Sequence, residues 1–117
     1  MSRVPAGTRA KVLLRSGGDC ERCGRSVANV PADLHHRRPR GMGGTKAPDI
    51  HAAANLVLLC RDCHTWVETH RTEASEHGWL VLRRDPREPI DVPVWCAGEW
   101  WWVTDAMFTP ADIDPPF

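Results

Sequence analysis

The chain has 117 residues, with 15 Lys and Arg balancing 15 Asp and Glu, and 26% charged beside 42% hydrophobic residues. That length leaves room for one core and excludes a second independent one, and the composition is that of a folded chain rather than a disordered one. The zero net charge hides an asymmetry: residues 1–71 carry 12 Lys and Arg against six acids, whereas residues 72–117 carry three Arg against nine acids, so only the first part suits a polyanionic partner.

The elements follow from the punctuation. Gly7-Thr8 offers a helix start, and residues 9–15 read as a short amphipathic helix stopped by Gly17-Gly18. A cysteine pair follows. Residues 32–37 form a short extended segment ended by Pro39, which biases Arg38 away from helix. Residues 39–54 are a long Gly- and Pro-rich loop of the kind that usually carries function. Residues 56–60, LVLLC, are a buried strand by length and apolarity. A helix is expected from Asp62, as N-cap, to Glu76, stopped by His77-Gly78. Beyond it, residues 79–83, 92–95 and 100–104 read as three strands, the last two turned by Cys96-Ala97-Gly98-Glu99, with an irregular tail. The opening residues lack the apolar run of a secretory leader, and no stretch approaches the ~20 residues a bilayer needs, so a cytoplasmic chain without a membrane partner is expected (host cytoplasm if viral).

Four of the five cysteines come in two pairs, Cys20-Glu21-Arg22-Cys23 and Cys60-Arg61-Asp62-Cys63, separated by 36 residues. Two such knuckles offer four thiolates to one tetrahedral zinc, whereas disulfides need an oxidising compartment that this sequence does not advertise. Cys96, left over, reads as a small buried hydrophobe.

The chemistry-bearing residues lie between and just after these pairs. His64 follows Cys63 directly, and Glu68 stands one helical turn on, so both project from one helix face. An imidazole and a carboxylate there can hold one divalent ion, with His35 as a third ligand. His36 is then available as general base, since an ordinary imidazole is largely neutral at physiological pH. His70 lies about 200° around the helix from Glu68 at ~100° per residue and points elsewhere. Alternation along a strand sends His35 and His36 to opposite faces, so one site can use both only where the strand twists or bulges. His51 and His77 read as solvated.

The segments LHHRRPRGMGG and ANLVLLCRDCH resemble the HNH endonuclease motif in its zinc-knuckle branch, and the resemblance covers roughly residues 8–71. It implies an α+β fold: a small ββα-metal, treble-clef-like unit with a four-cysteine structural zinc, here with an N-terminal helix and a C-terminal β-hairpin extension. The division would fall into a core over 1–78 and an acidic, Trp-rich extension over 79–117 packed on it. The implied activity is phosphodiester hydrolysis or nicking of double-stranded DNA with one divalent ion (Mg2+, Mn2+, Ni2+ or Zn2+). Carried over by position, His35 and His64 become metal ligands, His36 the general base, Asn55 the residue that holds the loop and so orients the base, and Arg37, Arg38 and Arg40 the phosphate contacts. Glu68 departs from the pattern, which often has His there, but a carboxylate is an acceptable ligand for Mg2+ or Mn2+. The alternative is a catalytically weak zinc-binding module for DNA recognition or packaging assembly.

Trp95 and Trp100–Trp102 fall outside the motif. Trp100 and Trp102 share one strand face and Trp101 takes the other, with closure of a small core preferred over a patch for a protein partner. A phage terminase as that partner is implied by the resemblance only.

Overall fold

Pro5, with its ring-fixed φ of −57°, starts the first helix, α1 (Ala6–Ser16), and accepts a hydrogen bond from the Arg9 amide at 3.0 Å, so the helix begins before the expected Gly7-Thr8. Gly17 ends it in the left-handed conformation, its N–H bonded to Leu13. The protein is described here by a computed structural model covering residues 4–39 and 51–113. Arg40 and most of the long loop lie outside the described residues.

Strand β1 (Ala32–His36) pairs antiparallel with β2 (Leu56–Cys60), with Ala32 opposite Cys60 and His36 opposite Leu56. All five residues of β2 are buried because both of its faces are covered. Its other edge is clamped by the first cysteine knuckle. The Glu21 amide donates to the Leu58 carbonyl at 2.8 Å, and the Leu58 amide donates to Glu21 Oε1 at 2.9 Å. Glu21 also forms a buried ion pair with Arg15 at 2.7 Å, and Arg15 donates further to the carbonyls of Ala53, Leu56 and Thr104. Every donor this pair buries thus finds an acceptor, which is what makes a buried charge tolerable.

The expected helix over 62–76 is two helices. The first, α2 (Arg61–Thr69), begins directly after Cys60, with Asp62 inside its first turn rather than capping it. The second, α3 (Arg71–Glu76), follows a break at His70, where φ is −122° and ψ 53°. The Thr69 hydroxyl donates back to the Thr65 carbonyl at 2.8 Å, a side-chain bond that competes with the helical ladder.

Residues 79–83 are not the expected strand. Trp79, Leu80 and Val81 are buried, but the amides of Trp79 and Leu80 both return to the Ala74 carbonyl at the end of α3, so those donors are unavailable to a ladder. Gly78 makes the reversal possible at φ +80°, where a Cβ would lie 1.9 Å from the Pro93 carbonyl oxygen.

The extension is a three-stranded antiparallel sheet of β3 (Val94–Cys96), β4 (Glu99–Val103) and β5 (Phe108–Pro110). Ala97 and Gly98, both at positive φ, form the two-residue hairpin turn. The third strand lies in the tail read as irregular; its Pro110 is tolerated because the strand is at the sheet edge. Trp101 packs on the core with Val103 on its own face, while Trp100 is buried edge-on against Trp95 at 5.2 Å. Trp79, fully buried, donates its indole N–H to the Trp95 carbonyl. One cluster joins Cys20, Val57, Leu59 and Val67 to Trp79, Val94 and Val103, so residues on both sides of position 78 share a core.

Candidate metal centres

The end of β2 and the start of α2 bring Cys60 and Cys63 against Cys20 and Cys23. The four sulfurs lie within 4.8 Å of one another, and Cys23 Sγ is 3.8 Å from Cys60 Sγ. A tetrahedral zinc with Zn–S bonds of ~2.3 Å has sulfur–sulfur edges of ~3.8 Å, so the cluster fits that ion, whereas a disulfide needs ~2.05 Å. Burial pushes the thiols of Cys63 and Cys23 up. At Cys20 burial acts in the same direction but is outweighed by backbone N–H bonds from Cys23, Cys60 and Arg22, which bring it down to about 7. One thiolate is thus readily formed and its neighbours resist joining it, a conflict that a bound dication resolves. Arg22 donates to Cys63 Sγ at 3.3 Å while lying 3.9 Å over the Trp66 ring. Cys96 is outside the four and has a polar role: half-buried, it donates its thiol to the Arg22 carbonyl at 3.2 Å.

The second cluster is His35, His64 and Glu68, with ligand atoms again within 4.8 Å of one another. His35 is 4% exposed, and burial depresses its pKa to about 4, so it is neutral as a ligand must be. Its Nε2 is 2.9 Å from the Trp79 carbonyl. A carbonyl only accepts, so that nitrogen carries the proton and Nδ1 keeps its lone pair. His64 has the mirrored arrangement: Nδ1 is 3.0 Å from Asp33 Oδ2, which leaves the lone pair on Nε2, 3.8 Å from Glu68 Oε1. Both imidazoles are therefore held in the tautomer that presents a bare nitrogen. Two imidazoles and one carboxylate fit a divalent ion with open positions. His70 is not in this group; it stacks on Trp66 at 5.4 Å with 14° between the rings.

Asp33 was missed in the sequence, although a signal was there: it precedes His35 by two on the same strand, hence on the same face. Burial works against its charged form, but Arg61 and His64 together hold its carboxyl below the usual range.

His36 is the last residue of β1 and is paired without a bulge. A cavity of about 270 Å3 nevertheless touches Leu34, His35, His36, Pro39, His64, Glu68 and Arg71, reaching both faces of the strand's end. His36 Nε2 is 3.3 Å from Nδ1 of His51, a residue to which the sequence assigned no role. Asn55, 1% exposed, clamps the backbone just beyond: its Oδ1 accepts from the Arg38 amide at 2.7 Å, and its own carbonyl accepts from the Arg37 amide at 2.7 Å.

The arginines expected to grip phosphate behave differently. Arg37 is fully buried and donates to the carbonyls of Gly78, Ala54, Pro89 and Val92. Burial draws its pKa down to about 9, which still leaves it charged, and it has no surface to offer a phosphate. Arg38 is half-buried and donates to the carbonyls of Asp85 and Arg87. Arg40 lies outside the described residues. Among the described residues, the exposed cations near the second cluster are instead Arg61, paired with Asp33, and Arg71, paired with Glu68.

Among the described residues no helix is long and apolar enough to cross a membrane. No curated protein and no solved structure matches the chain. Residues 20–69 match the family model described as HNH endonuclease, and that segment holds both cysteine pairs and the His35, His64 and Glu68 cluster.

Proposed function

We propose that the protein is a metal-dependent endonuclease or nickase that hydrolyses phosphodiester bonds of double-stranded DNA. The observation that carries this reading is the cavity shared by His35, His36, His64 and Glu68 within the HNH-type segment. A divalent ion (Mg2+, Mn2+, Ni2+ or Zn2+) held by His35, His64 and Glu68 would supply Lewis acidity toward a phosphoryl oxygen and the leaving 3′ oxygen. His36 acts as general base. Its neutral imidazole takes a proton from water, the water oxygen bonds to phosphorus, and the bond to the 3′ oxygen breaks with its electron pair on that oxygen. Asn55 is a positioning residue, fixing the chain two residues beyond the base.

The four cysteines hold a structural zinc that pins the start of α2, from which His64 and Glu68 project. We read residues 1–78 as the nuclease core and 79–117 as an extension packed on it, a reading supported by the carbonyls of Pro89 and Val92 that receive Arg37.

Incubation with supercoiled plasmid and Mg2+, Mn2+ or Ni2+ tests the proposal. Open-circular or linear product is expected, and His36→Ala should lower the rate by about 10²–10⁴ with the ion still bound. Duplex binding with no cleavage under any ion would instead identify a zinc-binding recognition module.

A further inference from the structure

We infer that Arg71 is the residue that grips the phosphate under attack, and that metal binding frees it to do so; this rests on the nuclease reading. Arg71 opens α3, its side chain 52% exposed, and lines the same cavity as His36, His64 and Glu68. Its guanidinium donates to Glu68 Oε2 at 3.3 Å, while the other oxygen of that carboxylate faces His64 Nε2 at 3.8 Å. Glu68 therefore stands between the ligand cluster and the guanidinium. A dication on Glu68 and His64 neutralises the charge that holds Arg71 and repels its guanidinium. The fork then faces a cavity in which a phosphodiester would present oxygens matched to its donors. Arg61, the other exposed cation nearby among the described residues, has no such freedom, since it is bound through two nitrogens to Asp33 and does not line the cavity.

The test compares wild type, Arg71→Ala and Arg71→Lys, each carrying its zinc, by calorimetric Mn2+ titration and plasmid cleavage at saturating Mn2+. Arg71→Ala removes a cation from beside the ligands, so Mn2+ should bind about two- to fivefold more tightly. Cleavage should nevertheless fall about 10²-fold, because a preorganised donor to the developing charge is lost; Arg71→Lys should fall between. Opposite signs on binding and cutting are what a purely structural helix pair cannot produce. Unchanged cleavage, or Mn2+ affinity and cleavage falling together, overturns the inference. A wild type that does not cut refutes the nuclease reading, and Arg71 is then judged on duplex affinity. Arg71→Ala should lose more affinity with Mn2+ than without it, and an equal loss overturns the inference.

Discussion

Asp33 accepts a hydrogen bond from His64 Nδ1 at 3.0 Å, joining two elements through residues 31 positions apart in the sequence. This bond selects the tautomer of His64 and orients its ring toward Glu68. Asp33→Ala should therefore weaken divalent-ion binding by about 10–100-fold, while leaving the four-cysteine zinc in place. Calorimetric titration of Mn2+ into the zinc-loaded variant checks this, and an unchanged affinity would show that His64 needs no such support.

His35 makes stability depend on acid. Burial depresses its pKa to about 4 against an ordinary value near 6.5, so the folded chain binds fewer protons than the unfolded one in between. The stabilisation is complete above pH ~6.5 and declines as pH falls toward 4, by about 3 kcal/mol in all. Denaturant melts of wild type and His35→Gln, both zinc-loaded and without a second metal, should show the wild type losing more stability between pH 7.5 and 5. Parallel losses would mean that this imidazole is not held neutral.

Arg37 should behave as a core residue. Arg37→Ala leaves four carbonyls without their donor, and a loss of about 3 kcal/mol or more is expected. Arg37→Lys should recover little, because an ammonium cannot span acceptors arranged around a planar fork. Urea denaturation measures both. A variant as stable as wild type but deficient in DNA binding would return Arg37 to the phosphate-contact set.

The four-cysteine cluster predicts about one zinc per chain in protein purified without added metal, by elemental analysis. Cys63→Ser or strong chelation should unfold the chain, since metal binding and folding are one equilibrium in so small a unit. Circular dichroism during chelation reads this directly; an unchanged spectrum after zinc loss would mean that the core suffices alone.

What was legible in the sequence is what local spacing controls. Two residues between cysteines make a knuckle, three residues between His64 and Glu68 put both on one helix face, and the apolar run LVLLC declares β2 with the bounds observed. Where the simple patterns failed, a competing hydrogen-bond partner had claimed the backbone or the side chain. The break at His70 follows a threonine bonding back into the helix, and the lost strand at 79–83 spent its first two amides on the Ala74 carbonyl and its third on that of Arg37.

The arginines show the limit most sharply. Arg37, Arg38 and Arg71 look alike as residues, and nothing local separates them. Their roles depend on which acceptors remain unpaired where each side chain arrives. For Arg37 these are carbonyls 17 to 55 positions away, gathered around a site closed to water. For Arg71 the acceptor is a carboxylate three residues back, at an open cavity beside two imidazoles. The sequence by itself singled out the two candidate ligand clusters that the fold gathers; only the tertiary structure decided which cations face inward and which face the site, because burial of a charge is decided by the whole fold.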